Sequence, residues 1–234
     1  MGAIALGPGV WRIPTAGDFI NSFAFVEEDG SVTLVDTGIK RASSRIVAGL
    51  ADIGKHPRDV QRIILTHAHA DHAGSAAALL PRTSADGTVV HAEDAHYVEA
   101  GQAAPASGMG KIVQRLPGQG FAPVPVTHQA VDSELLEVAG GLQVHHTPGH
   151  TPGHMSLLHP ASGVLITGDS IFNMAGRMTW PFKAFCTDFP LNKQTAAALA
   201  DLDYTTAAFT HGPHIDQQAR EQVRGFLRRK GVVR

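Results

Sequence analysis

The sequence predicts an α/β fold in which two β-rich halves pack face to face with helices outside. Three observations carry that prediction. Short apolar and β-branched runs gather towards both ends of the 234-residue chain, with helical spacings interleaved. Hydrophobic residues make up 43% of the chain, enough at this length for one sizeable core or two sheets sharing one, within a single domain spanning 1–234. Histidines and aspartates each stand just after a short β-like run, where α/β folds collect their chemistry.

In chain order, Val10 to Ile13, Phe19 to Val26 and Val32 to Asp36 read as strands, with Glu27-Glu28-Asp29-Gly30 as a hairpin turn. They predict an antiparallel opening. Arg41 to Leu50 carries Ile46, Val47 and Leu50 at helical spacing, and Arg62 to Leu65 is the next strand. Gly74 to Leu80 reads as a short helix stopped by Pro81, and Val89 to His91 resumes the sheet. A second strand set follows at Leu142 to His146, Met155 to His159, Val164 to Thr167 and Ala207 to Thr210, with helices at Gln194 to Leu202 and Gln217 to Arg229. Two segments resist regular assignment. Gly101 to Val126 holds five glycines and four prolines, and Phe172 to Pro190 holds Phe172, Trp180, Phe182, Phe185 and Phe189. Both read as loops beside the functional site.

That site announces itself in His67-Ala68-His69-Ala70-Asp71-His72, three imidazoles and a carboxylate directly after Ile63-Ile64-Leu65. Residues two apart at a strand end point the same way, so His67 and His69 can close on one ion while Asp71 and His72, past the bend, face a second. His150 stands in Thr147-Pro148-Gly149-His150, Asp169 ends an apolar run from Gly163, and His211 ends Ala207-Ala208-Phe209-Thr210. Seven ligands are too many for one tetrahedral zinc and suit two metals. The repeat in His145-His146-Thr147-Pro148-Gly149-His150-Thr151-Pro152-Gly153-His154 leaves the choice between His150 and His154 open at this level.

An HxHxDH segment followed by separate His, Asp and His resembles the metallo-β-lactamase superfamily of binuclear metal hydrolases, and the match runs from Asp36-Thr37-Gly38 to His211. The resemblance implies an αββα sandwich of two mixed sheets flanked by helices. It implies that His67, His69 and His150 hold one metal, that Asp71, His72 and His211 hold the other, and that Asp169 bridges them. It selects His150 as the ligand and leaves His154 as a buried hydrogen-bonding neighbour. Asp36 matches a carboxylate beneath the metals that supports their ligands. The expected cofactor is two divalent ions, zinc first, with iron or manganese as alternatives.

Two divalent ions roughly 3.5–4 Å apart lower the pKa of a shared water to near neutrality, which makes hydroxide the expected nucleophile, with Asp71 orienting it and Asp169 holding the ions together. No serine stands in a Gly-x-Ser-x-Gly setting, and Cys186 has no activating sequence neighbour, so no covalent intermediate is expected. Phe172, Trp180, Phe182 and Phe185 are expected to wall a substrate pocket for an apolar or acyl group. His56, His91, His96, His128, His159 and His214 read as polar residues on turns, strand edges or near the site, and Cys186 as structural.

The formal charge of −2 offers no basic surface for nucleic acid. No run approaches membrane-spanning length, and the start of the chain lacks a charged region followed by a long apolar core, so a cytoplasmic protein is expected. A small molecule is the expected partner, and a homodimer is allowed. Asp169 stands where true β-lactamases of the fold use another residue, which disfavours antibiotic hydrolysis. The Asp-bearing pattern is similar to glyoxalase II-type thioesterases, acyl-homoserine lactonases, RNA-processing nucleases and iron persulfide dioxygenases. Phe172 replaces the lactonase tyrosine, little chain remains after His211 for a glutathione-binding region, and the charge does not suit RNA. The leading expectation is a hydrolase of a small ester, thioester or lactone. The alternatives are a non-haem iron redox enzyme of the persulfide dioxygenase kind and a non-catalytic metal-binding sensor.

Overall fold

Side chains alternate across a strand, and here neighbouring residues of one strand fall into different cores, because both faces of each sheet are covered. Phe23, Phe25, Val35, Ile64 and Val89 pack inward with Leu142, Val144, Leu157, Val164 and Ile166 in the core between the sheets. Ala24, Leu34, Ile63, Leu65 and Val90, their immediate neighbours, pack outward against one helical layer. Leu158, Leu165, Ala207 and Phe209 pack outward on the opposite side against the other. Three cores therefore separate four layers, the expected αββα sandwich.

The computed structural model describes residues 2–108, 112 and 120–234. One sheet runs in chain order through β1 (Ile4–Gly7), β2 (Val10–Pro14), β3 (Asn21–Val26), β4 (Val32–Val35), β5 (Val60–Ile64), β6 (Thr88–His91) and β7 (Val126–Ala130). Its first four strands are antiparallel, as the hairpin signal predicts, and β4 to β7 are parallel. Helices α1 (Ser43–Asp52), α2 (Ala76–Leu79) and α3 (Ala92–Ala100) cover its outer face through Ile46, Leu50, Leu79 and Val98. The second sheet joins β8 (Leu135–Leu136), β9 (Leu142–His146), β10 (Met155–His159) and β11 (Val164–Ile166), antiparallel, to β14 (Thr206–Ala208), which runs parallel to β11. A two-stranded ribbon of β12 (Phe172–Met174) and β13 (Arg177–Thr179) precedes α4 (Phe189–Thr195), and α5 (Ala219–Arg229) closes the outer layer with Val223, Phe226 and Leu227.

Several boundaries differ from the sequence expectation, each for a local reason. Phe172 to Pro190 is not one loop: it contains the β12–β13 ribbon, and Pro190 lies in the first turn of α4, where its missing N–H costs nothing. Asp188 caps that helix, its carboxylate accepting from Leu191 N at 2.9 Å, and the helix expected from Gln194 is instead the end of α4 followed by a 3-10 segment over Ala196–Ala200. Pro81 does not end a helix outright but sits within a 3-10 turn over Leu80–Arg82. Strand β7, largely exposed and polar, carries no apolar alternation for a sequence reading to find. Within Gly101 to Val126, residues 109–111 and 113–119 lie outside the described residues, so the loop expectation is met only for the flanks.

Candidate metal centre

Every strand that points at the cleft between the sheets delivers a polar side chain at its end. Asp36 follows β4 in a left-handed conformation, φ 58°. It sits fully buried and accepts from Thr66 N and Thr66 Oγ1, both at 2.8 Å, and faces His72 Nδ1 at 2.8 Å. The backbone carbonyl of His72 in turn accepts from Thr37 N at 2.6 Å and Thr37 Oγ1 at 2.7 Å. Asp36 and Thr37 thus clamp both ends of the segment after β5. The His72 ring is oriented with Nδ1 towards Asp36 and Nε2 towards the cleft.

His67, His69 and His150 form one group of donors: His69 Nδ1 lies 3.1 Å from His67 Nε2 and 2.9 Å from His150 Nε2. Asp71, His72 and His211 form another, and Asp169 lies between them. Its Oδ2 is 3.1 Å from His150 Nε2 and 3.4 Å from His211 Nε2, while its Oδ1 is 3.4 Å from His72 Nε2. Asp71 Oδ2 is 3.3 Å from His211 Nε2. The Asp169 carboxylate also accepts from Thr210 Oγ1 at 2.7 Å, and its own N–H donates to His154 Nε2 at 2.7 Å. His154 therefore has one ring nitrogen on Asp169 and the other on Thr147, and none left for a metal. His150, not His154, faces the cleft.

Glycine permits one of these loops outright. Gly149, immediately before His150, has φ 125°, and a Cβ there would run into the backbone of Asn192 in α4.

The donor set fits divalent metal. His72 Nε2 and His211 Nε2 are buried without a hydrogen-bond partner although carboxylate oxygens lie nearby; Asp169 favours a proton on both rings, and a divalent ion in the shared space would take the place of those protons. Burial holds the His67 imidazole well below its ordinary range and, together with His150, brings His69 down to about 3, which leaves both neutral and able to coordinate. Burial opposes the charge on His211, but Asp169 and Asp71 outweigh it and raise the group to about 9. Asp71 shows the converse: burial favours its acid form, and His72 and His211 beside it hold the carboxyl well below the usual range. A fourth cluster, His91, Glu93 and His146, is a poorer candidate, because the two rings stack 3.8 Å apart at 15° and their lone pairs run parallel rather than converge. His91 instead caps α3, accepting from Glu93 N at 3.3 Å.

A cavity of about 440 Å³ opens at these groups, lined also by Ile39, Lys40, Ala70, Ala103 and Gly120 and by the aromatic rings of Phe172, Phe182 and Phe185. The Phe172 ring lies 4.3 Å from that of His211, and Phe182 is 62% exposed at the mouth. Trp180 corrects the sequence expectation: it does not line the cavity but packs 4.9 Å from Phe226 in the outer helical layer, because the β12–β13 ribbon doubles the chain back away from the site. Cys186 is buried with Sγ 3.5 Å from His150 Nδ1, and burial pushes its thiol up to about 12, so it stays protonated. Sequence reasoning misses Ile39 and Lys40, whose only signal is their place just after Asp36-Thr37-Gly38, and Asp94, considered below.

Residues 16–211 match the family model of the metallo-beta-lactamase superfamily, a span that takes in every one of these groups. The chain belongs to the metallo-beta-lactamase superfamily. Relatives within it include the uncharacterized protein YobT of Bacillus subtilis strain 168, 33% identical over 80% of this chain and 81% of its own. The probable metallo-hydrolase YybB of the same strain is 29% identical over 82% and 80%. Among solved structures, a metallo-beta-lactamase of Cronobacter sakazakii superposes with a TM-score of 0.74 over 98% of this chain and 92% of that one, at 18% identity, which speaks for the shared fold alone. The chain is thus a metallo-hydrolase-superfamily protein with His and Asp clusters suited to divalent metal. Among the described residues no helix is long and apolar enough to cross a membrane.

Proposed function

We propose that this protein hydrolyses a small ester, thioester or lactone carrying an apolar acyl part, with two divalent metal ions, zinc the expected pair. The observation that carries the reading is the convergence of seven His and Asp side chains beneath one aromatic-walled cavity, which His69, Asp71, His150, Asp169 and His211 line directly. His67, His69 and His150 would hold one ion, Asp71, His72 and His211 the other, and Asp169 would contact both. Ions held there would supply Lewis acidity for a substrate carbonyl and a water acidic enough to attack near neutral pH.

The chain's own groups do the rest. Asp71 is the proposed ligand most open to the cavity, with its side chain 36% exposed, and is ionised, so it can accept a hydrogen bond from the attacking water and orient it. Phe172, Phe182 and Phe185 would receive the acyl group and exclude water from it, and Lys40 is a cation among the described lining residues. Two further relatives support this substrate class: an N-acyl homoserine lactonase from a Bacillus species, 32% identical over 63% of this chain and 54% of its own, and the hydroxyacylglutathione hydrolase GloC of Haemophilus influenzae, 24% identical over 72% and 75%. Phe172 offers no phenol, so a lactone substrate would have to do without help from that position.

The test is a screen of lactones, thioesters, carboxylic esters, phosphodiesters and β-lactams on protein of measured metal content. Turnover of an acyl substrate, lost on metal removal, is the expected result. Activity confined to phosphodiesters or β-lactams would sink the proposal. A silent panel on metal-loaded protein would shift weight to a non-catalytic sensor.

A further inference from the structure

Asp94 lies in the first turn of α3, outside every motif that marks the metal centre, yet its side chain is completely buried. Its Oδ2 accepts from Ala68 N at 2.8 Å and from Thr151 Oγ1 at 2.7 Å, and its Oδ1 accepts from Gly153 N at 2.7 Å. Ala68 stands between His67 and His69, Thr151 directly follows His150, and Gly153 directly precedes His154. One carboxylate thus joins the ligand segment of the first sheet to the ligand loop of the second. The fit is close on both sides: a Cβ on Gly153 would lie 2.5 Å from Asp94 N and 2.8 Å from its Cβ.

We propose that Asp94 is a positioning residue that sets the separation of the His67–His69 pair from His150, and so governs the affinity of the ion those three would share. The proposal rests on the reading that these histidines hold metal. Three donors converge on two oxygens, and only a carboxylate can accept them all. An amide in its place turns one oxygen into a donor facing another donor. His69 Nδ1 and His150 Nε2 come within 2.9 Å across the two loops, so a small shift between those loops acts directly on this donor group. The Asp71, His72 and His211 group has no hydrogen bond to Asp94 and is supported by Asp36 instead.

The experiment is a competition titration of metal-stripped full-length protein with zinc against a chromophoric chelator, paired with cobalt absorption spectra, for wild type, Asp94→Asn, Thr151→Val and Val98→Ala. Val98 is a buried apolar residue on the same helix whose side chain has no polar atom to bond either loop, so its variant reports loss of core packing without loss of the carboxylate bonds. Wild type is expected to bind two ions per chain, and Asp94→Asn to weaken one of them by about 10–100-fold while the other holds, as for residues that orient metal ligands. Thr151→Val, which keeps both backbone bonds, is expected to weaken the same ion less and carries the test if Asp94→Asn does not fold. Wild-type affinity for both ions in Asp94→Asn, or in Thr151→Val where only that variant folds, overturns the positioning role, as does an equal loss in Val98→Ala. Wild type that binds no zinc overturns the metal reading itself.

Discussion

The two halves of the sandwich contribute to the centre in different ways. The first sheet supplies His67, His69, Asp71 and His72 from one short segment after β5, and side chains hold that segment: Asp36 below, Thr37 at its end, Asp94 beside it. The second sheet supplies His150, Asp169 and His211 singly, from three separate strand ends. Glycine turns shape these strand ends, Gly149 at φ 125°, Gly168 at φ 55° and Gly212 at φ 108°, and side chains add to them where Asp94 accepts from Thr151 and Gly153 and where Thr210 donates to Asp169. A ligand cluster continuous in sequence needs buried carboxylates to orient its rings. Ligands assembled from distant loops need glycines that let the chain turn tightly.

The largest effect is expected at Asp169, the group where the two halves meet. Asp169→Ala removes the carboxylate that lies within 3.4 Å of His72, His150 and His211, and is expected to lower kcat/KM for any hydrolysed substrate by about a thousandfold, the scale of losing a main electrostatic group, with metal content measured alongside. Unchanged turnover would remove Asp169 from the centre. In the first half, Asp36→Ala leaves every ligand in place but frees His72 and Thr66, and should weaken metal binding by about 10–100-fold in a chelator competition. In the second half, Gly149→Ala should act on the fold instead, costing on the order of 1–3 kcal/mol from the unfavourable backbone alone, read in urea denaturation of the metal-free protein. A stable Gly149→Ala with poor metal binding would blur the distinction between the halves. The smallest effect compares two aromatics: Phe182→Ala is expected to raise KM for an acyl substrate with little change in stability, and Trp180→Ala to lower stability by about 1–2 kcal/mol with KM unchanged.

The same contrast explains what a reader of the sequence can see. HxHxDH is visible because its His and Asp residues are adjacent, and the apolar run Ile63-Ile64-Leu65 before it places them at a strand end. His150 and His154 are indistinguishable by spacing. Only the hydrogen bonds that His154 shares with Thr147 and accepts from Asp169 N show that its nitrogens are spent. Asp94 is hidden for a different reason: no local pattern reveals that it, rather than its neighbour Glu93, is buried under three donors 26 to 59 residues away. Trp180 misleads because closeness in sequence to Asp169 does not survive the reversal at β12–β13. The start of α4 falls inside the segment read as a loop, where the aromatic and proline content hides the cap at Asp188.

The central claim is that these seven side chains form a two-metal hydrolytic centre, and metal stoichiometry measured together with acyl-substrate turnover tests it most directly. The account predicts two divalent ions per chain, hydrolysis that disappears when they are stripped, and recovery in step with their return. A single iron per chain accompanied by oxygen consumption, or hydrolysis untouched by complete metal removal, would contradict it.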